Sequence, residues 1–255
     1  MDRWLGRVAL VTGASVGIGA ACVRNLVRHG IKVVACARNL EQLQALKTEL
    51  ASQPGSVHPI RCDVTKEEDI LSMFAEIKKT PELGGVDICI NNAGCGHNAP
   101  LLDGDTKMWR NMLEVNVLGV AICTREAIRS MRERMVDDGQ IIYISSLSGH
   151  RIYSSPPSHF YSATKHAVKA MLEGVRNELR DLKSHIRVAA ISPGYVETEF
   201  SIRLNEGNQE KVDEIFKSLK AIQPEEIAEH VEFILKAPPH VQVHDILLRP
   251  TEQIS

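Results

Sequence analysis

Seven short and almost uninterrupted apolar runs recur along this 255-residue chain, and they constrain its fold more than any other feature. They read RVALVTG, IKVVACA, VHPIRCDV, VDICINNAG, QIIYISS, IRVAAISPG and DILLRP. Runs of this kind are typical of strands that are covered on both faces. Most are followed by a stretch with helical periodicity, such as LEQLQALKTEL or EEDILSMFAEIKK. The alternation predicts an α/β fold with a doubly wound parallel sheet of about seven strands and helices on both faces.

The chain shows no composition break that would separate two domains. It has no low-complexity tract, long linker or internal repeat, and 44% of its residues are hydrophobic. We therefore expect a single domain spanning residues 1–255. The least regular segments, 147–160 and 198–220, both follow predicted strands, and open α/β sheets bind ligands at the carboxyl ends of their strands. These segments are a predicted substrate loop and a predicted lid.

Charge and cysteine usage narrow the classes of partner. A formal net charge of -2 with both signs dispersed gives no footprint for nucleic acid or an anionic membrane. The six cysteines form no C-x-x-C pair or His/Cys cluster, which indicates buried thiols in a reducing compartment and no metal site. The first residues lack a secretory apolar region, and the charge-free stretch 8–23 is shorter than the roughly 20 residues a bilayer requires. We expect a cytoplasmic protein with a small-molecule partner and no stable membrane insertion.

A glycine-rich turn follows the first predicted strand. TGASVGIG places Gly13, Gly17 and Gly19 between a strand and a helix that should begin near Ile18. Glycines let the backbone approach a pyrophosphate, and the helix start offers unpaired N–H groups and a partial positive charge. The alternative is a tight turn without a ligand. At the end of the second strand, Arg38 stands where a carboxylate would select NAD, so NADP(H) is predicted; a solvated arginine is the alternative.

The stretch YSATKHAV places a phenol and an ammonium group four residues apart. On a helix of about 3.6 residues per turn, Tyr161 and Lys165 lie on one face. In a cleft, the ammonium group would favour the phenolate and lower the tyrosine pKa from its usual value near ~10, which would suit acid/base catalysis. On a solvent-facing surface, the pair would be an ordinary helix start. The spacing alone leaves both interpretations open.

Four motifs in order resemble the short-chain dehydrogenase/reductase superfamily along nearly the whole chain: TGASVGIG, NNAG at 91–94, YSATK and SPGYVET. Segments such as DICINNAG, HFYSATK and RPTEQIS are similar to a branch that includes animal dehydrogenase/reductases and insect NADP-dependent farnesol dehydrogenases. The resemblance implies a Rossmann-type subunit with a cofactor half, 1–150, and a catalytic and substrate half, 151–255. It also implies a homodimer or homotetramer built on the helices that precede and contain the Tyr–Lys pair.

The resemblance assigns four catalytic residues, namely Asn116, Ser146, Tyr161 and Lys165. Tyr161 would exchange the proton of the substrate oxygen, and Lys165 would tune it and anchor the nicotinamide ribose. Ser146 would donate to the substrate oxygen; it is preferred over Ser145 and Ser148 because the family places this serine three residues before a glycine. Asn116 would help to hold a water that links Lys165 to solvent.

The implied NADP(H) contacts extend over most of the motifs. They are Gly13, Ser15, Gly17, Ile18, Gly19, Arg38, Asp63, Val64, Asn91, Ala93, Gly94, Tyr161, Lys165, Pro193, Gly194, Val196 and Thr198. Asp63 would hold the adenine amino group, although capping of the helix that starts near Lys66 is an equal alternative. Val16 stands where other NADP-selective members carry a basic residue, so Arg38 would carry the coenzyme preference largely alone.

The predicted substrate walls are mainly apolar and aromatic. They comprise Cys95, His97, Leu147, Tyr153, Phe160, Tyr195, Phe200 and Ile202. Each could instead be loop packing or an oligomer contact. The expected function is an NADP(H)-dependent interconversion of a hydrophobic alcohol and its ketone or aldehyde, the substrate being a ketosteroid, a dicarbonyl or an isoprenoid such as farnesol. The alternative is a non-catalytic NADP(H)-binding redox sensor, which would be expected to lose Tyr161 or Lys165.

Overall fold

A computed structural model describes residues 1–204 and 208–254. The strands are Val8–Thr12 (β1), Lys32–Ala37 (β2), Ser56–Arg61 (β3), Ile88–Asn91 (β4), Gln140–Ile144 (β5), Arg187–Pro193 (β6) and Asp245–Leu248 (β7). The α-helices are Gly17–Arg28 (α1), Leu40–Glu49 (α2), Glu67–Lys79 (α3), Thr106–Leu113 (α4), Val120–Glu133 (α5), His159–Asp181 (α6), Glu199–Leu204 (α7), Gln209–Ser218 (α8) and Pro224–Lys236 (α9). A π-helical segment, Glu114–Gly119, joins α4 to α5.

The seven strands form one parallel sheet in the order β3-β2-β1-β4-β5-β6-β7. The central strand β1 pairs with β2 on one side, as in Val8 opposite Lys32, and with β4 on the other, as in Leu10 opposite Cys89. Strands are added outward in one direction up to β3, and the direction then reverses at β4. Each strand corresponds to one of the seven apolar runs, so the predicted doubly wound sheet is confirmed.

Both faces of the sheet are covered by helices, which explains the uninterrupted apolar runs. On one face, Ala9 and Val11 of β1 belong to a core shared with α1, α2 and α9. On the other face, Val8 and Leu10 belong to a core shared with α3, α5 and α6. Successive strand residues point to alternate faces, and both faces are covered, so every position of β1 is buried.

The two irregular segments contain short helices. The predicted lid, 198–220, holds α7 and α8, and its residues 205–207 lie outside the described residues. The predicted substrate loop, 147–160, holds 3-10 turns at Leu147–Gly149 and Pro156–Ser158 and then the start of α6. Within the two described ranges, none of the helices combines the length and the apolar character that crossing a bilayer requires.

Candidate active site

A cleft of about 1320 Å³ opens at the carboxyl ends of the strands. It includes the turn after β1 and the loop after β4, where the direction of strand addition reverses. Ligands of open α/β sheets bind at such a switch point. Both irregular segments contribute walls, through residues such as Ser155 and Phe200. The position predicted from strand order is therefore the position of this cleft.

Most of the predicted site residues line the cleft. They are Gly13, Ser15, Gly17, Ile18, Arg38, Asp63, Val64, Ala93, Gly94, Cys95, His97, Ser146, Tyr153, Tyr161, Lys165, Pro193, Gly194, Tyr195, Val196, Thr198 and Phe200. The chain thus brings together side chains from residue 13 to residue 200.

The glycine turn has a geometry that larger residues would not reproduce. Gly13 and Gly17 have φ of +64° and +55°, in the left-handed region that favours glycine. A Cβ on Gly19 would lie 2.3 Å from the carbonyl oxygen of Gly13. Helix α1 begins at Gly17 with no side-chain cap at Val16 and no acidic residue in its first turn. The turn therefore presents N–H groups and a positive dipole end without a competing carboxylate, which fits a bound phosphate.

The ends of β2 and β3 form the adjoining part of the cleft. Arg38 is exposed and follows β2 directly, and the Asn39 side chain accepts a hydrogen bond from Gln42 N at 3.2 Å to cap α2. Asp63 follows β3 and accepts from the backbone and hydroxyl of Thr65 at 3.1 and 2.9 Å. Burial opposes ionisation of Asp63, yet the Thr65 hydrogen bonds and the charge of Arg38 hold its pKa below the usual value.

The alternative role of Asp63 as a helix cap is wrong. Lys66 is the N-cap of α3, and no side chain caps that helix. The Asp63 carboxylate instead fixes its own turn at the edge of the cleft, with Arg38 as its positive neighbour. Arg38 and Asp63 therefore give this end of the cleft one charge of each sign.

Tyr161 and Lys165 lie at the start of α6. Both are buried, with exposed fractions of 7% and 5%. The Lys165 Nζ lies 5.6 Å from the centre of the Tyr161 ring and donates to the Ile144 carbonyl at 3.1 Å. The Ser146 side chain is close enough to the Tyr161 hydroxyl to lower its pKa, and the Ser146 Oγ accepts from Ser148 N at 3.1 Å. The predicted choice of Ser146 over its neighbouring serines agrees with this contact. The side chains of Ser146, Tyr161 and Lys165, all predicted to be catalytic, therefore line the same part of the cleft.

The predicted lowering of the Tyr161 pKa is wrong for this cleft. Burial raises the pKa of Tyr161, and the nearby Ser146 hydroxyl offsets only part of that rise. Burial also lowers the pKa of Lys165 to about 8. Desolvation is the largest cause of both shifts because both side chains are almost completely enclosed. The pair therefore favours a protonated tyrosine, the form that donates a proton to an oxygen.

Asn116 lies behind the cleft rather than in its wall, at 1% exposure in the π-helical segment. Its Oδ1 accepts from Cys95 N at 2.8 Å, and its Nδ2 donates to Cys95 O at 2.8 Å and to Thr164 Oγ1 at 3.1 Å. Asn116 thus connects the loop after β4 to the residue before Lys165. Its predicted contact with a water stays a prediction.

Five other predicted residues do not line the cleft, namely Gly19, Asn91, Leu147, Phe160 and Ile202. Asn91 donates to Thr124 Oγ1 at 3.1 Å in the core, because successive strand residues point to opposite faces. The adjacent Asn92 reaches the cleft instead and donates to Thr12 O at 2.8 Å.

The remaining four point into the protein or along another wall. Gly19 packs under the Gly13 carbonyl, and Leu147 is buried at 2% exposure beneath its 3-10 turn. Phe160 stacks on Trp109 with ring centres 5.2 Å apart. Nothing in the structure explains why Ile202 alone of its neighbours on α7 is absent from the wall.

We call the end of the cleft that lies between the loop after β4, the predicted substrate loop and α7 the substrate end. It is more polar than predicted. Its unpredicted residues include Asn98, Asn111, Ser154, Ser155, Ser158, Ser201, Asn208 and Gln253. Apolar walls are also present. Leu204 and Phe200 pack closely against Gly96, where an added Cβ would lie 2.9 Å from Leu204 Cδ1 and 3.0 Å from Phe200 Cζ. The apolar and aromatic set is therefore only part of this surface.

Gln253 reaches this surface from the carboxyl-terminal segment. Its Oε1 accepts from Tyr195 N at 3.0 Å, and its Nε2 donates to the Tyr153 hydroxyl oxygen at 3.5 Å. A Cβ on Gly194 would lie 2.1 Å from the same Oε1. Gln253 thus fixes the loop after β6 against the substrate loop. Sequence reasoning missed it because its partners are 58 and 100 residues away.

Comparison with known proteins adds four findings. The sequence model of the short chain dehydrogenase family matches residues 7–209. A dehydrogenase/reductase SDR family member 11 from Gallus gallus is 53% identical over 257 residues, with 100% of both chains covered. A farnesol dehydrogenase from Aedes aegypti is 44% identical over 252 residues, with 98% of both covered. A solved serine dehydrogenase complexed with NADP+ superposes with a TM-score of 0.89 at 31% identity, over 97% of this chain and 96% of that one.

Proposed function

The chain belongs to the short-chain dehydrogenase family, and from that premise we propose that it is an NADP(H)-dependent oxidoreductase. The reaction proposed is the interconversion of a hydrophobic alcohol and its ketone or aldehyde. One observation carries the proposal: the buried Tyr161 lines one cleft with Ser146 and Lys165, and an uncapped helix terminus lies in the same cleft. A proton donor and a phosphate cradle in one cleft are the two features this reaction needs.

The nucleotide end of the cleft fits NADP(H), which supplies or accepts the hydride when bound. The turn from Gly13 to Ile18 would hold the pyrophosphate at the start of α1. Arg38 would pair with the 2′-phosphate, since guanidinium groups bind phosphates through several charge-assisted hydrogen bonds. Support also comes from the serine dehydrogenase that superposes on this chain, which was solved with NADP+.

Tyr161 is the proposed general acid when a carbonyl is reduced. Its raised pKa keeps the hydroxyl protonated, so a proton is available for the substrate oxygen as negative charge develops there. Ser146 would donate a second hydrogen bond to the same oxygen. In the oxidation direction, the Tyr161 oxygen would recover the proton, and a charged Lys165 would favour the phenolate. Tyr161 thus exchanges the proton of the substrate oxygen, and Ser146 donates a hydrogen bond to the same oxygen.

The proposed substrate is a largely hydrophobic carbonyl compound or alcohol. Phe200, Leu204 and Tyr195 supply apolar surface, and the Aedes aegypti relative is a farnesol dehydrogenase. Isoprenoid aldehydes, dicarbonyls and ketosteroids are therefore the classes to test. In this proposal residues 1–150 supply most of the nucleotide contacts, while residues 151–255 supply the acid and most of the substrate walls.

The deciding experiment follows NADPH oxidation by the purified protein against these three substrate classes, with Tyr161→Phe in parallel. Wild-type turnover should fall by at least about 10²-fold in the variant, with NADPH binding retained. Tyr143→Phe is the matched control, because Tyr143 is a buried tyrosine of β5 that bonds to Thr124 outside the cleft. NADPH binding without turnover of any compound would overturn the enzyme proposal and favour a redox-sensing protein.

A cytosolic location and a homodimer or homotetramer complete the proposal. The six cysteines are free thiols, as a reducing compartment would leave them. Light scattering of the purified protein tests the assembly, and cell fractionation tests the location.

A further inference from the structure

His150 directly follows the short turn that begins at Ser146, and its ring touches three separate elements. The Nε2 atom lies 2.9 Å from Asp245 Oδ2 on β7 and 3.1 Å from Ser192 Oγ on β6. The Nδ1 atom lies 3.0 Å from Lys169 Nζ on α6. His150 does not line the cleft, so it touches neither the substrate nor the nucleotide end.

These contacts determine where the ring proton lies. A lysine ammonium can only donate, so Nδ1 of His150 must accept the bond from Lys169. The proton of the neutral ring is then on Nε2, which donates to Asp245. Ser192, which is fully buried, donates to the other carboxylate oxygen of Asp245 at 2.8 Å. Every member has a partner of the correct kind, so the network holds one ring orientation.

The same network is connected to Ser146 through very few bonds. The His150 N–H donates to Leu147 O at 2.9 Å, and Gly149 N–H donates to Ser146 O at 2.9 Å. A Cβ on Gly149 would lie 2.9 Å from the carbonyl oxygen of Lys165, so the turn packs directly on α6. Movement of the His150 ring would therefore move the turn that positions the Ser146 hydroxyl against Tyr161.

We propose that His150 is a positioning residue: it fixes the Ser146 turn to β6, β7 and α6, so that the Ser146 hydroxyl stays beside Tyr161 in the cleft. The inference rests on the proposed function, since Ser146 must act on the reacting oxygen for its placement to matter. A hydroxyl displaced by about 1 Å can cost on the order of 10²-fold in rate. The effect should fall on kcat and leave nucleotide binding unchanged, because the nucleotide cradle lies at the other end of the cleft.

The test compares His150→Leu, which removes both ring hydrogen bonds, with His150→Gln, which keeps an N–H for Asp245. Leu should lower kcat by about 10- to 100-fold with an unchanged Kd for NADPH, and Gln should recover part of that loss. His166→Leu is the matched control, because the His166 ring bonds to Ser162 O one turn earlier on its own helix. A kcat for His150→Leu equal to that of wild type would overturn the proposal. If the Leu variant does not fold, Asp245→Ala removes the acceptor of the His150 Nε2–H and gives the same readout.

A measurement without turnover separates this proposal from the function it rests on. In ¹⁵N-labelled protein without nucleotide, the His150 ring should show a protonated Nε2 and a bare Nδ1. A ring protonated on Nδ1 would overturn the positioning network even in an active enzyme. An inactive wild type with the expected ring state would instead overturn the proposed function alone.

Discussion

The nucleotide end and the substrate end of the cleft are built in different ways. The nucleotide end consists mostly of turns after β1, β2, β3 and β4, in which backbone conformation and small residues decide the shape. The substrate end is assembled from residues 95–98, 153–155, 157–158, 195–196, 198–201, 203–204, 208 and 253, so its shape depends on contacts between distant segments. The first kind of site tolerates almost no change in the backbone, whereas the second can change side chain by side chain.

Adding one methyl group at Gly19 should distort the nucleotide end of the cleft and leave the structure of the substrate end unchanged. Because the new Cβ would lie 2.3 Å from a backbone oxygen, Gly19→Ala should abolish NADPH binding and destabilise the fold by about 1–3 kcal/mol. Gly174→Ala on α6 is the control: its Cβ meets nothing within 4 Å, and it should stabilise the helix by up to about 1 kcal/mol. Fluorescence titration with NADPH and thermal unfolding give both quantities. Unchanged NADPH affinity in Gly19→Ala would contradict this view of the turn.

Arg38→Asp should change coenzyme choice without altering the substrate end. Loss of a guanidinium–phosphate contact, and repulsion by the new carboxylate, should lower the preference for NADPH over NADH by about 10- to 100-fold. Arg61→Asp makes the same charge change at the exposed end of β3, outside the cleft, and should leave the ratio near that of wild type. The ratio of kcat/KM values for the two coenzymes is the measurement. An unchanged ratio in Arg38→Asp would remove the basis for NADP(H) preference.

Lys165 lies where the two ends meet, and its burial should appear as a pH-dependent stability. Its pKa of about 8 in the folded protein is below the unfolded value near ~10.4, so the unfolded chain binds more protons between these values. The free energy of unfolding should therefore rise by about 2 kcal/mol from pH 7 to pH 9.5 and be lost again as the pH falls through 8. Lys165→Met should remove that rise, and exposed Lys79→Met should keep it. Denaturant unfolding at several pH values tests this, and an equal slope in wild type and Lys165→Met would refute it.

Gln253→Leu should give the smallest effect, confined to the substrate end. Without its hydrogen bonds, the loop at Tyr195 loses its attachment to Tyr153, and the KM for the carbonyl substrate should rise roughly 3- to 10-fold. The Kd for NADPH and the coenzyme ratio should stay at the wild-type values. Gln209→Leu on α8, outside the cleft, is a control of the same type of substitution. A large loss of NADPH affinity in Gln253→Leu would show that the two ends are not separable.

The same contrast explains what the sequence could and could not predict. The sheet and the glycine turn depend on local pattern, in that β-branched runs predict strands and glycines mark a turn with positive φ. Arg38 directly follows a predicted strand, so its place at the edge of the cleft was predictable from the local pattern. The place of Tyr161 in the cleft was implied only by the family resemblance, because the i,i+4 spacing left a solvent-facing helix open.

The errors concern side-chain direction and burial, which only the folded chain determines. Asn91 and Asn92 are neighbours in sequence, but Asn91 bonds to Thr124 in the core, whereas Asn92 lies after β4 in the cleft and bonds to Thr12. The Tyr161 pKa is raised because residues distant in sequence enclose the side chain, and this burial cannot be predicted from the i,i+4 spacing of Tyr161 and Lys165. Gln253 meets Tyr195 only because the chain returns to β7 after α9.

The central claim is that this cleft holds a reduced nicotinamide nucleotide beside a tyrosine acid. The most direct test supplies NADPH deuterated at the transferable C4 position and analyses the product of the best carbonyl substrate by mass spectrometry. The account predicts a single deuterium on the carbinol carbon with the wild-type protein, and almost no labelled alcohol with Tyr161→Phe. Alcohol formed without deuterium, or labelled equally fast by Tyr161→Phe, would contradict it.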